Sequence, residues 1–331
     1  MAEITPIAPF LRRFLLEHLI RERNLSRNTQ AGYRDTFILL LRFLAKTART
    51  RIDRLSVEDL SARSVRRFLH YLEQDRRVSG ATRNQRLVAI HSLARFIGED
   101  HPEHLAWCNQ IRAIPFKRTG HVPVPYLEKA EIEALLAVPD RRTLQGARDH
   151  ALLLFLYNTG ARVDEAVRLR VGDLQFGNSP AVTLLGKGNK SRCCPLWPQT
   201  IEVLRKLAAN RAPDERVFLN RLHCPLTRFG IYALLKRIVS KACLTVPALK
   251  AKRVSPHCVR HACAVHMLRA GIDINTIRGW LGHVSLDTTH VYAEVDMEMK
   301  AKALARCDMP AHAAIRPWHT QPGVIAFLKS L

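Results

Sequence analysis

No Cys-x-x-Cys pair and no His-Glu-x-x-His run occurs in these 331 residues. The two commonest sequence signs of a zinc site are therefore missing. The eight cysteines (Cys108, Cys193, Cys194, Cys224, Cys243, Cys258, Cys263 and Cys307) are scattered through apolar-patterned segments. In a long chain that distribution predicts reduced thiols rather than a disulfide framework. No apolar run approaches the length of a membrane span. The first twenty residues carry Glu3, Arg12, Arg13 and Glu17, which breaks the apolar core of a secretory signal. A cytoplasmic protein without a membrane partner is the expectation. No internal repeat and no low-complexity segment is visible, which excludes solenoids and disordered tracts.

Acidic residues are also scarce: 29 Asp and Glu stand against 52 Lys and Arg, for a formal net charge of +23. Such a surplus attracts polyanions, and nucleic acid is the commonest polyanion in a cell. The charge is not confined to a tail. Residues 1–120 hold 22 basic and 12 acidic residues, and the remainder hold 30 and 17. Both halves are basic, so both are expected to face the same polyanion.

What is present is a globular composition, 47% hydrophobic, at a length that suggests two domains. The first third reads as helices with Arg-rich polar faces: IAPFLRRFLLEHLIRER, then SRNTQAGYRDTFILLLRFLAK with Ser26 as N-cap, then SVEDLSARSVRRFLHYLEQD opened by Ser56, then SGATRNQRLVAIHSLARFIGED. IPFKRTGHVPVP, with three prolines, one glycine and no periodicity, reads as a linker. Beyond it come YLEKAEIEALLAVP and RDHALLLFLYNTG, the latter a helix ended by Gly160, followed by ARVDEAVRLR. AVTLL-GKGN-KSRCCPL predicts a β-hairpin. QTIEVLRKLAAN, TRFGIYALLKRIVSKA, PHCVRHACAVHMLRAG, INTIRGWLGH and DMEMKAKALARC predict further helices, and the chain ends in an apolar GVIAFLKSL.

The stretch SPHCVRHACAVHML concentrates the chemistry. His257 and His261 are four apart, but His266 is nine residues from His257 and falls on the opposite side of a helix. That spacing makes a poor metal site. Ser255 suits an N-cap and Pro256 the first helical position, which places His257 in a first turn whose N–H groups favour an anion. Arg260, three residues on, shares the face of His257 and could grip two phosphate oxygens. The plain alternative is a half-buried helix with a surface Arg. Four further pieces weigh against it: Arg162 straight after a helix break in TGARVDEAVRL, Lys187 at the GKGN tip with Lys190 nearby, His283 in GWLGH, and Tyr292 in TTHVYAEV.

In this order, TGARVDEAVRLR, LLGKGNKSRCCPL, SPHCVRHACAVHMLRAG and WLGHVSLDTTHVY resemble the catalytic domain of the tyrosine recombinases, the phage integrase family, with Xer-type members similar in both pieces and spacing. LSRNTQAGYRDTFILLLRFL resembles that family's helical core-binding domain. The resemblance implies a mainly α fold with a small β-sheet (α+β). Residues 1–112 would form a helical, SAM-like core-binding domain, 113–125 a linker and 126–310 the catalytic domain; the apolar end of the 311–331 tail suggests docking on a neighbouring protomer, with packing on its own domain as the alternative. It implies a C-shaped clamp on double-stranded DNA, two protomers per site and a tetramer in synapsis, with a second recombinase as a conceivable partner.

The resemblance further implies that Tyr292 attacks the scissile phosphate and leaves a 3′-phosphotyrosyl bond, which conserves the phosphodiester energy. Arg162 and Arg260 would hold the non-bridging oxygens, Lys187 would protonate the leaving 5′ oxygen, His257 would assist proton transfer and His283 would bond the phosphate. Glu165 would orient Arg162. No cofactor and no metal is implied. The role implied is integration, excision or transposition for a mobile element. Replicon-dimer resolution, a type IB topoisomerase-like enzyme, a non-catalytic DNA-binding relative and a metal-binding helical protein are the alternatives. Supercoil relaxation without defined sites would mark the topoisomerase, and stoichiometric zinc the metalloprotein.

Overall fold

The computed structural model describes residues 5–119, 126–186 and 190–282. The chain divides into two compact units, Met1–Val122 and Pro123–Leu331. The fold is mainly α with one small antiparallel sheet.

In the first unit, helix α1 (Ile7–Arg13) runs on as a π-helical segment, Phe14–Glu22. Helix α2 (Arg27–Ala48) starts at Ser26, whose side chain accepts from the Thr29 N–H. It ends on Arg49 in the left-handed region. Helices α3 (Ala62–Gln74) and α4 (Gly80–Asp100) are capped in the same way by Ser61 and Ser79, and α5 (Leu105–Arg112) follows. Each serine supplies an acceptor for an N–H that the helix itself leaves unpaired.

The expected start of α3 at Ser56 is a difference with a clear cause. Ser56 N–H donates to Asp59 Oδ2 at 2.9 Å and the Asp59 N–H returns to Ser56 Oγ at 3.3 Å, which closes a separate turn. The helix itself waits for Ser61. Phe14, Leu40, Phe68, Leu72, Ile90 and Ile97 fill the core of this unit. Ile114 is buried in it as well. Asn84 on α4 holds the backbone of Lys117 in both directions, at 2.8 and 3.0 Å, and Lys117 Nζ reaches Glu73 at 2.6 Å. The first residues of the proline-containing stretch thus pack on the first unit.

The second unit opens with α6 (Lys129–Ala137), followed by α7 (Leu144–Thr159), whose cap is Thr143, and the short α8 (Val163–Arg168). Strands β1 (Leu174–Gln175), β2 (Ala181–Leu185) and β3 (Ser191–Pro195) form an antiparallel sheet in that order, with Val182 opposite Cys194 and Leu185 opposite Ser191. The hairpin is the one expected from its pattern. β1 is two residues long and has too little alternation to be legible in advance.

Helices α9 (Pro198–Ala208), α10 (Arg228–Ala242), α11 (Pro256–Arg269) and α12 (Ile274–Leu281) complete the described part. The centre is α7. It packs against α6, α9 and α11, and Leu152, Phe155 and Leu156 are buried within it. Full burial of one such side chain contributes about 1.5–3 kcal/mol. Asn158, fully buried, bonds Pro195 O and the Trp197 N–H, and so fixes the exit of the hairpin to α7. The expected helix over residues 296–307 and the tail 311–331 lie outside the described residues. No described helix is long and apolar enough to cross a membrane.

Candidate active site

Helix α7 stops at Gly160, whose φ of +57° is left-handed and costs an L side chain energy. The turn is secured by Thr159, whose hydroxyl donates to Phe155 O and accepts from the Ala161 N–H. This break sets Arg162 as the N-cap of α8. Its N–H donates to Glu165 Oε2 at 2.8 Å and its Nη1 to Oε1 at 3.0 Å. The Glu165 side chain is 1% exposed, and a second guanidinium grips it from the sheet: Arg192 Nη1 to Oε1 at 2.9 Å and Nη2 to Oε2 at 2.7 Å. Burial alone pushes the Glu165 carboxyl up. The Arg192 fork and the bonds from Arg162 outweigh that and hold it below the usual carboxylate range. Burial pulls Arg192 down, and Glu165 more than restores it.

On α11, Pro256 occupies the first turn as expected, but Ser255 does not cap through a backbone N–H; its hydroxyl lies 3.4 Å from Cys258 Sγ. His257 is exposed. The protein around its ring, then the charges of Arg260 and Arg162, lower its pKa from 6.5. His261 is driven further, to about 4, by burial and by His257 and Arg260. Arg260 is 4% exposed, which disposes of the surface-Arg alternative. Its Nη1 donates to Gly160 O and its Nη2 to Leu281 O, the latter at 2.7 Å.

The three arginines meet at the end of α12. Arg192 Nε donates to Trp280 O at 2.8 Å, Arg260 Nη2 to Leu281 O, and Arg162 Nη2 to Gly282 O at 3.3 Å. They take three successive carbonyls at a helix C-terminus, where carbonyls lack intrahelical partners and the dipole is negative. Gly282, with φ +65°, turns the chain there, and His283 comes next. At the root of the hairpin, Gly186 lies beside the same group. A Cβ on it would stand 3.4 Å from Glu165 Oε1 and 3.8 Å from Arg162 Nη1.

Of the six expected site residues, Arg162 and Arg260 are therefore held at one helix end, and the charges of both reach His257. Lys187, His283 and Tyr292 lie outside the described residues, although Gly186 and Gly282, the neighbours of the first two, adjoin Arg162. Arg192 was not anticipated. A signal did exist: strand alternation puts Arg192 on the face of Cys194, which is buried. A charge two residues from an inward cysteine needs a buried partner. Among the described residues no cluster of three or more His, Cys, Asp or Glu is placed to hold a metal ion. Cys263, fully buried on α11, has its thiol pushed up to about 12 by that burial.

A family model described as "Phage integrase family" matches residues 125–299, and one described as "Phage integrase, N-terminal SAM-like domain" matches residues 12–99. The "Putative integrase/recombinase y4rC" of Sinorhizobium fredii is 38% identical over 100% of both chains. Tyrosine recombinase XerC of Roseiflexus sp. is 31% identical, covering 87% of this chain and 90% of its own. Tyrosine recombinase XerD of Neisseria meningitidis serogroup B is 30% identical, covering 85% and 92%. Among solved structures, the Tn1549 transposon integrase in complex with a circular intermediate DNA superposes with a TM-score of 0.67 at 16% identity, covering 92% of this chain and 100% of that one. XerH recombinase bound to its difH substrate gives 0.65 at 22% identity, covering 86% and 81%. At these identities the structural likeness is one of fold.

Proposed function

The chain belongs to the phage integrase family of tyrosine recombinases, and from that premise we propose how its own residues cut DNA and what the reaction serves. The enzyme is a site-specific DNA recombinase. Tyr292 Oη attacks the scissile phosphorus, a 3′-phosphotyrosyl bond forms, and the bond to the 5′ oxygen breaks. Lys187 gives that oxygen its proton. His257 receives the phenol proton; the protein around its ring and the charges of Arg260 and Arg162 lower its pKa and so favour the neutral, proton-accepting form. Arg162 and Arg260 stabilise the charge that grows on the non-bridging oxygens. His283 bonds the phosphate. Rejoining is the reverse, with a different 5′ hydroxyl.

One observation carries this reading: Arg162, Arg260 and the residue preceding His283 are held together by the carbonyls of Leu281 and Gly282. The side chain of Arg162 remains 32% exposed and is open to a ligand. Fixed guanidiniums need no rearrangement as charge develops, and that is where such sites gain most of their rate.

Two protomers bind one site in the cytoplasm and two such sites synapse as a tetramer, in which the 311–331 tail docks on a neighbour. The reaction serves a mobile element. The full-length match to an integrase/recombinase supports that role; the XerC and XerD relatives support replicon-dimer resolution as the competitor.

The test is covalent trapping. The protein is mixed in EDTA with DNA carrying the flanks of its own gene, and an SDS-resistant adduct is sought beside Tyr292→Phe. An adduct lost in the variant supports tyrosine cleavage, and its sequenced site at the element boundary supports the mobile role. An adduct that persists in the variant refutes Tyr292. Cleavage confined to a single replicon site far from the gene would instead assign dimer resolution.

A further inference from the structure

Glu165 is saturated. Oε1 accepts from Arg162 Nη1 and Arg192 Nη1, and Oε2 from the Arg162 N–H and Arg192 Nη2, all at 2.7–3.0 Å. Half of that set comes from Arg192. The same guanidinium spends its Nε on Trp280 O, and its stem fills the space beside Gly282, where a Cβ would meet Arg192 Cδ at 3.1 Å. One side chain thus joins β3, the carboxylate that orients Arg162, and the last turn of α12. Its own side chain is only 9% exposed, so it does not present itself to DNA as Arg162 does.

We infer that Arg192 is a positioning residue for strand cleavage, acting through Glu165 on Arg162 and through Trp280 on the α12 terminus. The inference rests on the cleavage chemistry proposed above. Its physical basis is the planar fork. Two parallel N–H bonds fix the carboxylate plane, and a third donor at a set angle fixes the helix end. A lysine keeps the charge, but its three donors rotate about one nitrogen and lack the planar fork that fixes the carboxylate plane and the helix end together. With Arg192→Lys, Glu165 keeps the Arg162 bonds but gains rotational freedom, and Arg162 gains it too. Loss of placement by fractions of an ångström is enough to slow phosphoryl chemistry. A purely structural salt bridge predicts something else, namely a less stable protein in which the folded molecules cut at the normal rate.

Single-turnover adduct formation at saturating DNA separates the two, because amplitude reports the folded fraction and the rate constant reports the chemistry. Arg192→Lys, in the full chain, is expected to bind DNA within about threefold of the wild-type Kd and to form adduct at full amplitude, but about tenfold or more slowly. The Arg162→Lys variant and the double variant complete a cycle. Because Arg192 acts largely through Arg162, its effect should be mostly lost in the Arg162→Lys background. A wild-type rate constant in Arg192→Lys, or a loss seen only in amplitude and melting temperature, would overturn the inference alone. So would full additivity in the cycle. A wild-type protein that binds its DNA but forms no adduct would overturn the cleavage reading itself, and the inference with it.

Discussion

Gly160→Ala tests whether the turn before Arg162 and the end of α12 are one mechanical unit. The new Cβ would sit 2.4 Å from Leu281 Cδ2, with Cys263 Sγ at 3.4 Å behind it. Leu281 is fully buried and has no solvent to retreat into. The left-handed backbone costs alanine about 1–2 kcal/mol, and overpacking adds about 1–3 kcal/mol, so the variant should lose roughly 2–5 kcal/mol. At about 2–4 °C per kcal/mol for a unit of this size, the melting temperature should fall by roughly 4–20 °C. Relief of the contact to an ordinary distance moves Leu281 by about 1 Å, and its carbonyl carries Arg260; a displacement of that size costs about a hundredfold in rate. Urea unfolding and single-turnover adduct formation measure the two effects. Leu281→Ala removes the clashing methyl, so in that background Gly160→Ala should cost only the backbone share, about 1–2 kcal/mol. An equal cost in both backgrounds, or wild-type cleavage in the single variant, would refute the coupling.

Glu165→Leu leaves Arg192 buried without its carboxylate and should lose about 3–5 kcal/mol in urea unfolding. Asp164→Leu, next door but half-buried and paired with Arg228 in a partly solvated ion pair, should change stability by less than about 1 kcal/mol. Because the Glu165 pKa is lowered in the fold, its contribution is present above the ordinary carboxylate pKa and is lost as pH falls through the folded value; stability measured from pH 5 downward should drop less steeply in Glu165→Leu. His261 has the opposite chemistry. Its folded pKa of about 4 lies below 6.5, so the unfolded chain binds the proton first and stability falls with pH between those values. From pH 7.5 to 5 this amounts to about 2 kcal/mol, and His261→Asn should flatten that part of the urea-midpoint profile. An unchanged slope would mean that His261 does not titrate as its burial implies.

The local frame around Arg162 and Arg260 was legible in the sequence because its grammar is local. Gly160 after an apolar helix, the Ser26 cap and Pro256 at a helix start are each decided by residues within a turn of one another. The expected Arg162–Glu165 contact spans three positions on one helix start, and it too follows from helical geometry. Ser56 shows the limit of such reasoning. It competes with Ser61 for the same role, and the winner depends on which turn Asp59 closes.

By itself, then, the sequence determined most of the described helices and the two paired strands, which rest on periodicity and capping over short spans, together with the basic charge on both units and the order of the motifs. The tertiary structure decided what those motifs share. Glu165 serves two arginines 30 residues apart in the chain, Arg162 and Arg192. Arg260 is a buried residue bonded to carbonyls 100 and 21 positions away. Trp280, Leu281 and Gly282 each receive a different guanidinium. No periodicity encodes these pairings. They exist because packing of α7 against α11 and of β3 against α12 brings donors to carbonyls that the end of α12 cannot satisfy on its own.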